Sequence, residues 1–492
     1  MNLRRVRSFI NGEYVDTSLS KLSPVRLLNP ATAIPVTEYT PANSTTVQNA
    51  IQSAKKAQAE WKSKAPAERG LILRKAAELL TERNDELALL ETIDTGRPIA
   101  ETSIEDIQSA SDCLHYYGGI CPSIGGQMVQ VPNQSWGYTR REPLGLTVGI
   151  GAWNYPLQSA VWKSAPALAF GNSMVFKPSE ETPLTALELA RIYIAAGVPN
   201  GVFNVVLGDG QVGEMLASDP NVAKVSFTGS MQTGTKVYQT AAKSLKKVTM
   251  ELGGKSPLLI FADADLEEAV SVAMMANWYS SGQVCSHGTR VFVHESILQS
   301  FVSRLHERTL KLRIGNPLDP LTDIGPMIHK AHMEKVLGYV AQGLKEGATL
   351  LSHGGVRFTP SNEFENGFFL TPAIFVDCKD EMTIVKDEIF GMVMTILPFK
   401  EEEEVVSRAN NTPYGLSAGI FTNDIKRAHR VAANIEAGTI WINNYNLTPV
   451  ELPWGGYKKS GLGRENGLDG VHSWTQVKSV YVEMNKVDCP YQ

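Results

Sequence analysis

From Ser44 to Lys62 apolar residues recur at helical spacing through Val47, Ile51, Ala54, Ala57 and Trp61, which predicts an amphipathic helix capped by Ser44. A second helical stretch follows Pro66, through Leu71, Leu73, Ala77, Leu80 and Leu87 to Ile93, and Thr95-Gly96-Arg97-Pro98 stops it. A third covers Ile99 to Tyr117. The charged faces of these helices read as solvated surface.

Between Gly125 and Gly149 the pattern changes to alternation. Met128-Val129-Gln130-Val131 and Gly137-Tyr138-Thr139-Arg140-Arg141 read as two strands about Pro132-Asn133. Such a ribbon has little of its own to pack against, so it crosses to another part of the molecule or meets another subunit. Short apolar strands then alternate with helical stretches. The strands fall at Leu146 to Ile150, Ser173 to Lys177, Phe203 to Leu207 and Val222 to Thr228, the helices at Leu184 to Ala196 and Val212 to Ser218. This order predicts a parallel sheet with helices on its faces, an α/β domain of the nucleotide-binding type. A second α/β pattern begins at Lys255, with strands at Leu258 to Phe261, Val291 to Val293, Ala373 to Val376, Thr395 to Pro398 and Thr439 to Ile442. Gln476 to Met484 reads as a last strand that joins the ribbon, and Phe9 to Val15 as a strand–turn–strand start.

A chain of 492 residues exceeds one ordinary core, so two or three domains are expected. With 43% hydrophobic and 20% charged residues it is globular, and a net charge of −5 excludes a general affinity for nucleic acid or anionic membrane. Five cysteines, at 113, 121, 285, 378 and 489, make no disulfide framework and suit a reducing compartment. The basic amino terminus lacks the apolar core of a signal peptide and no apolar run approaches a membrane span, so a cytoplasmic location is expected. His329 and His332 lack partner acids or cysteines at ligand spacing, so no metal site is expected.

Candidate chemistry centres on Ser280-Ser281-Gly282-Gln283-Val284-Cys285-Ser286-His287-Gly288, a small, glycine-flanked turn after a helical run. A reachable thiolate at Cys285 would attack a carbonyl; the alternative is one more small buried residue. Glu251 is the one acid amid apolar and glycine residues from Val248 to Pro257. There a carboxylate of raised pKa would take a proton from a thiol or water; the alternative is an exposed loop glutamate. Asn154, in Ile150-Gly151-Ala152-Trp153-Asn154-Tyr155-Pro156, either donates to a developing oxyanion or caps a turn. Lys177 and Glu180 end another strand, as an ion pair or as a hold for the hydroxyls of an adenosine ribose. A carboxylate in that place repels a 2′-phosphate and favours NAD over NADP. Phe227-Thr228-Gly229-Ser230 leads into a helix at Met231-Gln232-Thr233-Gly234, whose first amides attract phosphate. Gly208-Asp209-Gly210-Gln211-Val212-Gly213 matches the dinucleotide fingerprint, yet Asp209 sets a carboxylate there and no ribose-binding acid follows at the usual distance.

Six segments in order carry a resemblance: Gly149 to Pro156, Phe176 to Glu180, Phe227 to Ser230, Met250 to Lys255, Gly282 to Cys285, and Glu388-Ile389-Phe390-Gly391. From Phe9 to Met484 the chain resembles the NAD(P)-dependent aldehyde dehydrogenases. Tyr138 to Gly145, Ile442 to Asn446 and Pro449 to Pro453 resemble the members acting on 4-trimethylaminobutyraldehyde and betaine aldehyde. The resemblance implies an α/β fold of three parts: a Rossmann-type NAD-binding domain (1–124 and 144–253), an α/β catalytic domain (254–470), and a β-ribbon oligomerisation segment (125–143 and 471–492). It implies Cys285 as nucleophile, Glu251 as general base, and Asn154 with the Cys285 amide as oxyanion hole. Lys177 and Glu180 would hold the adenosine ribose of NAD, Gly229, Ser230, Met231, Gln232 and Thr233 would face the pyrophosphate, and Glu388 would bind the nicotinamide ribose, with Trp153 and Phe390 also at the cofactor. The 208–213 turn would be peripheral, and the protein a homodimer or homotetramer. Met392 stands where the family has proline, which loosens the backbone just after the ribose-binding segment.

Tyr155, Trp162, Tyr279 and Trp454 match pocket positions of the amino aldehyde and betaine aldehyde members. Aromatic faces bind a quaternary ammonium without hydrogen bonds. The expected substrate is therefore an ω-trimethylammonium or amino aldehyde: 4-trimethylaminobutyraldehyde, betaine aldehyde or 4-aminobutyraldehyde. The pathway (carnitine, betaine or polyamine) stays open. The rivals are a broad-specificity aliphatic aldehyde dehydrogenase, a cysteine hydrolase using Cys285 with His287, and a non-catalytic structural protein of the crystallin kind.

Overall fold

The computed structural model describes residues 3–15, 22–351 and 354–491. The first helix runs Ser44–Ser63, and its stripe of Val47, Ile51, Ala54 and Trp61 is fully buried. Its cap is Asn43, not Ser44, because the Asn43 side-chain amide oxygen accepts the Thr46 N–H. The expected long second helix is two, Pro66–Glu82 and Asn84–Thr95. The chain leaves helical geometry at Arg83 (φ −102°, ψ 20°), whose guanidinium pairs with Glu86 and Glu188 at 2.8 and 2.7 Å. The third stretch is also interrupted: Ile99–Glu101 and Ile107–Ile120 are α-helical, and Thr102–Asp106 between them is a wider π turn.

Eight strands form the first sheet, in the order Gly461–Leu462, Lys247–Glu251, Lys224–Thr228, Leu146–Ile150, Ser173–Lys177, Phe203–Val205, Phe9–Ile10 and Glu13–Tyr14. The five from Lys247–Glu251 to Phe203–Val205 are parallel. Leu146–Ile150, Ser173–Lys177 and Phe203–Val205 are buried throughout, as parallel strands covered on both faces are. Successive strands proceed one way from Leu146–Ile150 and then return to its other side at Lys224–Thr228. That reversal opens a crevice beyond the carboxyl ends of these two strands, where α/β sheets bind ligands.

The second sheet has the order Thr349–Leu350, Ala373–Val376, Val393–Phe399, Arg290–His294, Pro257–Ile260, Ser417–Phe421 and Thr439–Ile442, parallel except for the first strand. The expected strands are present, joined by Thr349–Leu350 and Ser417–Phe421, which the pattern did not announce. Strand Gly461–Leu462 lies in the stretch expected to be catalytic, yet it pairs antiparallel with Lys247–Glu251 of the first sheet.

In the ribbon, Trp136–Pro143 pairs antiparallel with both Met128–Gln130 and Thr475–Val482. The carboxy-terminal strand thus joins it as expected. A further small sheet holds Arg4–Val6, Pro35–Tyr39 and Val25–Leu28. Among the described residues no helix is long and apolar enough to cross a membrane. The ribbon is anchored by Trp474, fully buried where its last strand begins. Trp474→Ala should cost about 3–5 kcal/mol of stability, read as a fall in the unfolding midpoint.

Candidate active site

One cleft of ≈ 1200 Å³ opens at the crevice and runs between the two sheets. Its walls include thirteen of the positions singled out from the sequence: Trp153, Asn154, Tyr155, Trp162, Lys177, Glu180, Gly229, Ser230, Thr233, Glu251, Tyr279, Cys285 and Trp454. Glu388 and Phe390 line it as well. Met231 and Gln232, in the first turn of helix Met231–Ala242, do not. Gly210, Gly213 and Glu214 do line it, so the 208–213 turn is less peripheral than expected.

At one end, strand Ser173–Lys177 delivers Lys177. Its buried ammonium donates to the Pro178 and Gly208 carbonyls at 2.7 Å each and to Glu180 at 3.3 Å. Burial lowers its pKa, opposed by Glu180 and Asp209. The Ser230 side chain caps the helix that follows by accepting the Thr233 N–H at 3.2 Å.

At the other end, helix Leu266–Trp278 runs into a tight turn, Tyr279–Gly282, and then Cys285. Burial pushes the Cys285 thiol up to about 12, with the Glu388 and Glu251 carboxylates adding to it. Asn154 Nδ2 donates to the Gln283 carbonyl at 2.9 Å, which holds this amide beside the cysteine turn and leaves its second N–H for another acceptor. Glu251 ends its strand buried, and neither carboxylate oxygen has a hydrogen-bond partner in the protein. Burial, then the nearby Glu465, drives its carboxyl well above the ordinary range, against Lys163 and Arg464. Glu388 Oε1 accepts the Gly254 N–H at 3.2 Å, and its carboxylate fills the space a side chain at Gly253 would need.

Because the carboxylates raise the Cys285 thiol, removing one should lower it. Glu388→Gln is expected to shift the onset of Cys285 alkylation by iodoacetamide to lower pH; an unchanged or higher onset would contradict this electrostatic picture.

Several residues of the site carried no signal in their own segments. Lys163, fully buried within helix Pro156–Ala169, donates to Glu465 at 2.6 Å and to Thr228 Oγ1 at 2.7 Å. A lysine amid Val161, Trp162, Ala165 and Leu168 was the available hint. His332 Nε2 donates to the Phe390 carbonyl at 2.7 Å, and the Trp153 ring lies edge-on to both rings, at 5.6 and 5.2 Å. Phe390 has a left-handed backbone (φ 62°), so this bond helps fix the segment that ends at Met392.

Trp162 and Trp454 meet edge-to-face at 6.2 Å. The Tyr155 ring carries the Arg97 guanidinium 4.0 Å above it. His287 is buried with both ring nitrogens unpartnered and does not line the cleft; burial pushes it down to about 3, so it is neutral. A Cys285–His287 pair therefore has no support. Among the described residues no three His, Cys, Asp or Glu side chains group as metal ligands.

The cleft thus joins a thiol, a side-chain amide, the buried carboxyl of Glu251 and the carboxyl of Glu388 to a strand-end and helix-start region with Lys177, Glu180 and Ser230. Known proteins resemble this chain in sequence and in fold. The aldehyde dehydrogenase family model matches residues 17–480. Betaine aldehyde dehydrogenases of Brucella anthropi and Brucella ovis are each 53% identical over 483 residues, 98% of this chain and of theirs. An aldehyde dehydrogenase of Bacillus cereus, solved as an NAD⁺ complex, superposes with a TM-score of 0.95 at 41% identity over 98% of this chain and 97% of that one. A betaine aldehyde dehydrogenase of Staphylococcus aureus in complex with NAD⁺ gives 0.95 at 35% identity, over 99% and 96%. With the family model, the sequence identity and the fold in agreement over nearly its whole length, this chain belongs to the aldehyde dehydrogenase family.

Proposed function

We propose that the protein oxidises an ω-trimethylammonium aldehyde, betaine aldehyde first among them, to its carboxylic acid with NAD. The single observation that carries the substrate is the set of aromatic side chains, Tyr155, Trp162, Tyr279 and Trp454, on the wall of the cleft that also holds Cys285. The identity to Brucella betaine aldehyde dehydrogenases supports the same reading.

The cleft suits the cofactor. Glu180 beside Lys177 offers a carboxylate to a ribose 2′-hydroxyl and repels a phosphate there, which favours NAD. The first turn of helix Met231–Ala242, with Gly229, Ser230, Met231, Gln232 and Thr233, would take the pyrophosphate. Glu388 would hold the second ribose beside Trp153 and Phe390. NAD supplies the hydride acceptor for the oxidation, so an acyl group is left on the cysteine sulfur.

The protein's own residues do the rest. Cys285 Sγ bonds to the aldehyde carbon as its thiol proton passes to solvent water in the cleft. The second Asn154 N–H and the Cys285 amide stabilise the oxygen as it becomes negative. A buried carboxylate is a stronger base than an exposed one, so Glu251 can take a proton from water as that water attacks the thioester. The carbon–sulfur bond then breaks, releasing the acid and returning Cys285.

Each aromatic face adds roughly 0.5–2 kcal/mol for a cation. Betaine aldehyde should therefore exceed its uncharged carbon isostere, 3,3-dimethylbutanal, by about tenfold or more in kcat/KM, and Trp454→Ala should shrink that ratio. Equal values in the unmodified enzyme would favour the broad aliphatic rival. 4-Trimethylaminobutyraldehyde in the same assay tests the longer chain.

A dimer or tetramer is also proposed. The ribbon leaves Met128, Val129, Val477, Tyr481 and Met484 exposed, an apolar set a second subunit would cover. Val129→Lys with Tyr481→Lys should lower the mass seen by light scattering. A monomeric parent protein would sink the proposal.

A further inference from the structure

Immediately before Cys285 the chain passes through three left-handed residues in a row, Ser280 (φ 51°), Ser281 (φ 54°) and Gly282 (φ 76°). Glycine adopts this conformation freely, but each serine pays roughly 1–2 kcal/mol for it. Such strain persists only where neighbours over-determine the backbone. Here the neighbours can be named. Glu101 accepts the Ser280 N–H, at 3.0 and 3.2 Å to its two oxygens, and the Ser280 hydroxyl at 3.0 Å. Ser281 Oγ donates to the Gly325 carbonyl at 2.9 Å.

A serine hydroxyl has one proton. Since that proton goes to Glu101, Ser280 Oγ is left to accept, and it does so twice: from Arg97 Nε at 2.9 Å and from the Tyr155 hydroxyl at 2.8 Å. Arg97 is itself buried, donates to Asp106 at 2.5 Å, and lies 4.0 Å over the Tyr155 ring. Glu101 and Asp106 reach the same guanidinium because the π turn Thr102–Asp106 lies between them. The hydroxyl of Tyr155 is thereby committed away from substrate, leaving its ring as the surface offered to the cleft.

We infer that Ser280 is the hub of a positioning device, built by Arg97 and Glu101, that sets both the Tyr155 wall of the aldehyde pocket and the strained turn delivering Cys285. Arg97, Glu101 and Ser280 act through these two neighbours and touch no reacting atom. The inference rests on the aldehyde-oxidising reading above.

The test is a double-mutant cycle of Ser280→Ala and Tyr155→Phe on the full-length enzyme. Four quantities are read for each variant: kcat/KM for betaine aldehyde, the rate of Cys285 alkylation by iodoacetamide without cofactor, NADH affinity by fluorescence, and the unfolding midpoint. Misplacing a reacting group by about 1 Å can cost 10²-fold, so Ser280→Ala should lower kcat/KM by about 10- to 100-fold and change the alkylation rate. Tyr155→Phe should cost less, and the double variant should fall no further than Ser280→Ala, since both remove the same bond. NADH affinity should stay within about twofold of the parent's. Additive losses, or an unchanged alkylation rate with only a lower unfolding midpoint, would overturn the inference. If Ser280→Ala does not fold, the near-isosteric Glu101→Gln takes its place in the cycle. A parent enzyme that oxidises no aldehyde with NAD would sink the functional reading itself, whereas an active parent with additive losses sinks only the hub.

Discussion

Cys285→Ala and Cys285→Ser are each expected to lower kcat/KM for NAD-dependent betaine aldehyde oxidation by about 10⁴-fold or more, since the covalent route is lost with the nucleophile. Alanine removes the bonding atom. Serine keeps the shape, but an alcohol is far harder to ionise than a thiol, and burial with two nearby carboxylates already pushes the thiol up to about 12. Neither change removes a residue that would hold NAD, so NADH binding measured by fluorescence should persist. Residual turnover above a few per cent of the parent's, in protein free of contaminating activity, would show that sulfur at this position is not the site of acyl transfer.

Glu251→Gln is expected to separate the two halves of the reaction. The amide cannot take a proton from water, so hydrolysis of the acyl-enzyme should slow by about 10²–10⁴-fold while acylation is less affected. In stopped flow, a rapid rise of about one NADH per active site should precede a slow steady state. Loss of the rapid phase would instead give Glu251 its main role in activating the thiol. Both of its oxygens lack protein partners, so glutamine would bury an equally unpartnered amide, at about 1–3 kcal/mol. The unfolding midpoint of this variant must therefore be read beside its kinetics.

Much of the site was legible because each part is contiguous in the chain. Asn154 follows the end of one strand, Lys177 ends a second, Gly229 follows a third and Glu251 ends a fourth, and a parallel sheet sets all those ends on one side. Local rules failed where a neighbour distant in the chain decided the outcome. The cap is the exception, since Asn43 displaces Ser44 by one residue of register through a local bond to Thr46. At the break, Arg83 pairs with Glu188, about a hundred positions away. Strand Ser417–Phe421 is short and contains a glycine, and only its place between Pro257–Ile260 and Thr439–Ile442 makes it a strand.

By itself the sequence determined the alternation of strands and helices, the order of the motifs along the chain, and which thiol, amide and acid stand out as candidates, because periodicity and contiguous segments are local properties. Only the tertiary structure decided that Glu251 lies buried near Glu465 and Lys163, that His332 holds the Phe390 carbonyl, and that Arg97 and Glu101 grip Ser280. Desolvation, charge pairing and hydrogen bonding act between side chains that packing brings together, whatever their distance along the chain.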